Sequence, residues 1–504
     1  MIRVVVGEGA APDRHGRHGA TPAVRPPNAR CPPMESINPA TGDPEATYEA
    51  HDDEAVTNAL ETAHDAFDDW RRREISEREQ LIAAAADVLR ENEREYAELM
   101  TEEMGKPIES ARAEVEKCAW VCEYYAEHAS AFLADERLAA DADVEAVESY
   151  EPLGPVLAIM PWNFPFWQAF RFIAPHLTAG NVGLLKHASN VPGCALAIEE
   201  VLREAGYPEG VFTSLLVGSE EVERILEDDR VVAATLTGSD GAGRAVAGTA
   251  GGELKKTVLE LGGSDPFVVL EDAPLEAACR VGARARTINS GQSCIAAKRF
   301  VVLEDVYEEF LEGFLAELEE LTVGDPMDPE TDVGPQARAD LVEDLVDQVE
   351  ATVDAGATVE LGGEPLDREG YFFPPTVLTD VPKDSPAARD EMFGPVAAVF
   401  SVPDEATAIE LANDTRFGLG ASVWTADLDR GRRICRELEA GLTFVNELVK
   451  SDPRQPFGGV KASGYGRELG RDGIREFVNR KTIWVHHGDR VEDGTARSDE
   501  ASVE

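Results

Sequence analysis

The feature that most narrows the fold is an alternation that begins near residue 150. Short apolar runs at 154–160, 181–186, 211–217 and 233–237 alternate with stretches of helical periodicity such as 194–205 and 220–228. Continuous apolar runs of this length read as strands buried on both faces, and the segments between them as covering helices. That pattern specifies an α/β fold built on a parallel sheet. A second alternating set begins near 257–261 and runs to about residue 445. Acidic amphipathic helices precede both over about 52–135, one of them opened by Pro107 at its first position.

At roughly 100–200 residues per domain, a chain of 504 residues makes two to four domains with a sizeable core. No apolar run approaches the roughly 18 residues of a membrane helix, and residues 1–6 are too short for a secretory apolar segment. A soluble cytoplasmic protein is therefore expected. Lysine and arginine number 47 against 97 acids, a net charge of −50. Such a field repels phosphate backbones and anionic lipid, so neither nucleic acid nor a membrane is an expected partner. The acids are spread along the chain and there are only ten lysines. This reads as adaptation to high salt, where screening shortens self-repulsion to about 3 Å at 1 M; the alternative is an acidic protein at ordinary salt. Seven cysteines form no disulfide framework, and no C-x-x-C or H-E-x-x-H spacing suggests a metal, so reduced thiols and no metal are expected. Cys118 and Cys122 share a helix face without histidine partners and read as core filler. Residues 1–33, with five arginines against one Glu and one Asp, read as a disordered extension before a candidate initiator at Met34; 488–504 read as a disordered tail.

Polar, glycine-rich sequence follows three of the apolar strands, where open α/β sheets place their ligands. In 161–165 two prolines and two aromatics enclose Asn163, which is either a satisfied loop amide or a donor to a developing oxyanion. In 237–243, Gly238 and Gly243 permit a tight turn from a strand into a helix over 244–250. Ser239 there can meet a phosphate with its hydroxyl and N–H groups, although any strand-to-helix turn with an N-cap looks similar. Of the cysteines only Cys294 has a glycine-rich polar setting, where a thiol with a free pKa of about 8.5 is the best nucleophile near neutrality. Glu260, between Leu259 and Leu261, reads as a desolvated general base or as a surface strand carboxylate. No histidine accompanies Cys294, which makes cysteine-protease chemistry the weaker thiol reading.

These stretches resemble, in this order, the aldehyde dehydrogenase superfamily, together with further blocks at 391–395, 413–419, 456–461 and 463–468; the likeness covers about 36–486. Segments 185–190 and 259–266 look like the NAD(P)-dependent succinate-semialdehyde dehydrogenase subgroup. The resemblance implies an NAD(P)-binding Rossmann-like domain over 34–134 and 151–257, and a catalytic domain over 258–445. It also implies a small β oligomerisation element over 135–150 and 476–487, with a homodimer or homotetramer as the assembly. By the same resemblance Cys294 attacks a small-molecule aldehyde, and Asn163 with the Cys294 N–H holds the oxyanion. Glu260 activates the hydrolytic water and Glu468 relays protons. Lys186 is implied to bind the adenosine ribose, Ser239 the pyrophosphate and Glu391 the nicotinamide ribose, with Phe393 and Trp162 beside the cofactor. Ser189 stands where NAD-preferring members carry a glutamate, so NADP is expected to serve at least as well as NAD. Arg171 falls on the position of a substrate-carboxylate arginine, and Arg454 is a candidate second donor. Ile288 replaces the second arginine of some semialdehyde enzymes. Alternatives are a broad-specificity aldehyde dehydrogenase, an acylating enzyme passing its acyl group to coenzyme A, and a catalytically silent protein on the same fold. Glu260 argues against the acylating enzyme, and the intact Cys294, Asn163 and Glu260 against the silent one.

Overall fold

The computed structural model describes residues 32–487; the expectations for 1–31 and 488–504 lie outside them. Two sheets dominate. The first runs in the order Gly464–Tyr465, Lys256–Glu260, Ala233–Thr237, Pro155–Met160, Val182–His187, Phe212–Ser214. All its pairs are parallel except the first, where Gly464–Tyr465 adds an antiparallel edge. From Pro155–Met160 the chain builds outward to Phe212–Ser214, then returns to build Ala233–Thr237 and Lys256–Glu260 on the other side. The strand order therefore reverses between Pro155–Met160 and Ala233–Thr237, and a crevice opens at their carboxyl ends. Helix Pro165–Ala179 is buried along its whole length between this sheet and helix Ile108–Phe132, so it is mainly apolar, with Gln168, Arg171 and His176 as buried exceptions.

The second sheet has seven strands ordered Thr358–Leu361, Thr376–Thr379, Val396–Val402, Ala297–Leu303, Asp265–Val269, Gly420–Trp424, Leu442–Val445. It is parallel apart from the Thr358–Leu361 edge. A third, antiparallel sheet joins Val478–His486, Val144–Pro152 and Glu136–Arg137, and leaves Ile483, Trp484 and Val485 exposed. The fold is the α/β architecture the alternation specified.

Several expectations shift in detail. The strand at 256–260 closes the first sheet against Ala233–Thr237 rather than opening the second, which starts at Asp265. An apolar run carries no mark of which sheet it will join. Only Phe212–Ser214 of the run 211–217 pairs; beyond it the chain bends, and Leu216 accepts the His51 N–H at 2.8 Å. The helix expected over 244–250 begins at Asp240, so Gly243 lies in its first turn. Pro107 is the N-cap of Ile108–Phe132, one residue outside the position expected. Cys118 and Cys122 are buried on that helix, and the six cysteines among the described residues are free thiols.

Candidate active site

The crevice at the strand reversal holds a cavity of about 260 Å³ bounded by Trp162, Asn163, Gln168, Thr237, Gly238, Ser239, Leu261, Gly262, Cys294, Glu391 and Phe393, among others. Asn163 is held from three directions. Its Nδ2 donates to Gln292 O at 2.9 Å, its Oδ1 accepts from Gln168 Nε2 at 3.1 Å, and its carbonyl accepts from Asn289 Nδ2 at 2.7 Å. Gln168 thereby turns the amide NH2 toward the 292–294 segment, leaving its second hydrogen for the cavity. Glu114 holds the start of the same helix, accepting from Phe166 N at 3.0 Å and Trp167 N at 2.9 Å while buried against Lys106.

The approach to Cys294 is strained. Asn289 (φ 54°) and Ser290 (φ 56°) occupy the left-handed region in succession, before Gly291 (φ 78°). Each non-glycine residue there costs on the order of 1 kcal/mol or more and persists only where its surroundings impose it. Here Ser290 Oγ accepts from Gly334 N at 2.9 Å, and a Cβ on Gly291 would lie 2.2 Å from the carbonyl carbon of Gly394. Cys294 itself is half-buried, and burial pushes its thiol pKa up to about 12. The Lys298 ammonium pulls the thiol pKa the other way, but burial outweighs it.

Glu260 is 2 % exposed, and among the described residues neither of its oxygens has a hydrogen-bond partner. Burial, then the charge of Glu468, raise its pKa well above the carboxylate range. Its Oε1 packs against Gly458, where an added Cβ would come within 2.6 Å. Arg171 joins Glu468 to Thr237: its Nε lies against Glu468 and its Nη2 donates to Thr237 Oγ1 at 3.2 Å. Thus Glu260, Glu468 and Arg171 form a buried cluster beside the cavity wall at Thr237.

On the cofactor side, Ser239 caps helix Asp240–Gly252, its Oγ accepting from Ala242 N at 3.2 Å. Lys186 is the penultimate residue of the strand Val182–His187, its pKa lowered by burial, and Ser189 lies exposed just beyond the strand. Glu391 accepts from Gly263 N at 3.0 Å through Oε1, while Oε2 faces Gly262. Trp162 and Phe393 meet edge to face at 5.8 Å between centroids. The lining fits a dinucleotide: the Glu391 carboxylate and the N-terminus of helix Asp240–Gly252 share one cavity with Trp162, Phe393 and Cys294, where they could take a ribose hydroxyl and a phosphate.

Arg454 is not brought to this site. It chelates Asp452 at 2.8 and 2.6 Å and lies over the Trp120 ring, well exposed, because an acid two residues away captures it first. The cation found instead is Lys117, which the sequence analysis passed over as one charge on an acidic helix. It lines a second, larger cavity with Phe164, Trp167, Thr287 and Asn289. Its Nζ donates to Ser451 Oγ at 2.7 Å and sits 4.2 Å from the Trp167 ring centroid. Burial lowers its pKa to about 8, so it stays mainly protonated at neutrality. Gln168 and Lys298 were also missed; an apolar helix and a buried strand gave no signal for either. Among the described residues no group of His, Cys, Asp and Glu could hold a metal, and no helix is long and apolar enough to cross a membrane.

A buried thiol at the switch-point crevice of a dinucleotide-type sheet defines a nicotinamide-dependent oxidoreductase. The chain belongs to the aldehyde dehydrogenase family, whose model matches residues 27–483. It is 54% identical to a probable succinate-semialdehyde dehydrogenase [NADP(+)] of Synechocystis sp., across 90% of this chain and 99% of that one. It is 51% identical to succinate-semialdehyde dehydrogenase [NADP(+)] 1 of Mycobacterium bovis, across 90% and 100%. The structure of succinic semialdehyde dehydrogenase from Streptococcus pyogenes with NADP+ matches with a TM-score of 0.88 at 38% identity, covering 90% of this chain and 100% of that one.

Proposed function

We propose that this protein oxidises succinate semialdehyde to succinate with NADP+, through Cys294. The observation that carries this is the meeting of Cys294 and Asn163 in the same cavity as Gly238, Ser239 and Glu391. The Cys294 sulfur, once its proton has left, adds to the aldehyde carbon. The alkoxide that develops is held by the free Asn163 Nδ2 hydrogen and the Cys294 N–H, preorganised donors worth a few kcal/mol. A dinucleotide held in the cavity would supply the acceptor for the hydride that leaves the thiohemiacetal carbon, which becomes the carbonyl carbon of a thioester on Cys294. Glu260, once it has given up its own proton, then takes one from water, whose oxygen attacks the thioester carbon and displaces the Cys294 sulfur. Glu468, held by Arg171, carries that proton onward. Lys186, Ser239, Glu391, Trp162 and Phe393 hold the cofactor. Ser189 brings no carboxylate to repel a 2′-phosphate, which supports NADP.

The substrate's far carboxylate needs local positive charge in so acidic a protein. Arg171 and Lys117 supply it, one on the carboxylate cluster and one in the second cavity. We further infer a cytoplasmic enzyme adapted to salt. Its homodimer or homotetramer is joined through the antiparallel sheet at 136–152 and 478–486, where Trp484 is exposed. The NAD(P)-binding and catalytic units correspond to the first and second sheets.

Steady-state kinetics with an aldehyde panel in molar KCl tests the substrate. Lys117→Met and Arg171→Met are each expected to raise KM for succinate semialdehyde at least about tenfold relative to an uncharged aldehyde, roughly 1.4 kcal/mol. Equal effects on both substrates would make the enzyme a general aldehyde dehydrogenase.

A further inference from the structure

We propose that Lys298 is a positioning residue for the nucleophile: its ammonium fixes the backbone of Ser293 and Cys294 and is shared with Glu391 on the cofactor side. This rests on Cys294 being the attacking group.

Lys298 lies in strand Ala297–Leu303, wholly buried. Its Nζ donates to Ser293 O at 2.7 Å and Cys294 O at 2.6 Å, and stands 3.4 Å from Glu391 Oε1. The three ammonium hydrogens are thus divided between the nucleophile segment and one carboxylate. Burying an ammonium is costly, and a methionine would fill the same strand position, so packing alone does not call for a charge here. The contacts form one continuous path. Gly263 N donates to the same Glu391 oxygen at 3.0 Å, and a Cβ on Gly263 would lie 2.5 Å from Cys294 O. Two glycines, 262 and 263, therefore thread between Glu391 and the nucleophile, three residues or fewer from Glu260.

Four charged groups act on the Cys294 thiol. Lys298 and Arg171 favour its ionised form; Glu391 and Asp265 oppose it, with Lys298 the largest of the four. Lys298 in turn faces Glu391, Asp265, Arg286 and Cys294. A hydrogen-bond partner taken up by Glu391 from the cavity weakens its pull on the ammonium and leaves more positive charge for the sulfur. Lys298 so links the cofactor-side carboxylate to the reactivity of the thiol.

The test is the rate at which iodoacetamide alkylates Cys294 in the cofactor-free protein, followed against pH and assigned by peptide mass spectrometry. It needs no aldehyde turnover, so it fails separately from the assignment of Cys294, which Cys294→Ser tests. At about pH 8, well below the thiol pKa, Lys298→Met is expected to slow alkylation about tenfold or more, and Lys298→Arg to restore most of the rate. Glu391→Gln is expected to speed it, by less in the Lys298→Met background. A parent-like rate in folded Lys298→Met overturns the proposal. If that variant does not fold, a parent-like rate in Glu391→Gln overturns it.

Discussion

At the scale of single residues, Glu260 shows how burial raises the pKa of a carboxylate at the expense of stability. Among the described residues its carboxylate has no hydrogen-bond donor, and burial with Glu468 nearby holds its proton well above the usual range. Glu260→Gln is expected to keep a stoichiometric burst of reduced cofactor but to lose steady-state turnover by roughly 10²–10⁴-fold, since only water activation is removed. Stopped-flow absorbance reads both; an unchanged steady-state rate would dismiss Glu260 as the base. Its folded pKa is raised, so its contribution to stability is present below the unfolded pKa of about 4.3 and is lost as pH climbs toward the folded value. Gln mimics the protonated form, so the variant should melt higher than the parent at pH 8 and by a smaller margin at pH 5. Cys294 stood out because a glycine-rich polar setting is unusual for a thiol, whereas the residues around Asn163 and Glu260 left a bland reading open and only the family resemblance gave them roles. Arg454 was misjudged because a charge in a loop says nothing of which neighbour will bind it. Lys117 was missed because its partner Ser451 lies far off in the chain, and Gln168 because nothing in its helix marks the side chain that meets Asn163 five residues before it.

At the scale of elements, the turn at 237–243 joins local and tertiary demands. Ser239 supplies the helix cap that its type predicts. Gly243 is required for another reason: a Cβ there would meet Leu261 at 2.6 Å, and Leu261 lines the Cys294 cavity. Gly243→Val is expected to push Leu261 inward, cost about 1–3 kcal/mol of stability by overpacking, and weaken cofactor binding several-fold. Calorimetry and titration of cofactor fluorescence check this; parent-like binding would show that helix and strand separate freely. The helix start was placed four residues late because the glycines that allow close packing also imitate a loop.

At the scale of the whole molecule, a net charge of −50 sets the conditions under which the fold is stable. Self-repulsion reaches about 10 Å at 0.1 M salt and about 3 Å at 1 M, so molar KCl should stabilise the native state. A gain of ~2 kcal/mol corresponds to a rise in Tm of roughly 4–8 °C for domains of this size. Thermal unfolding against KCl reads it, and a Tm that stays level or falls would reject salt adaptation. By itself the sequence determined the α/β class, the carboxyl-end loops that face the crevice and the residue types offered there, because period and turn chemistry are local properties. Only the tertiary structure decided that strand 256–260 closes the first sheet, that Arg171 bridges Glu468 and Thr237, and that Lys298 stands behind Cys294. Those outcomes depend on which distant strands pair and which charges lose their water together, and neither is written in any one stretch of chain.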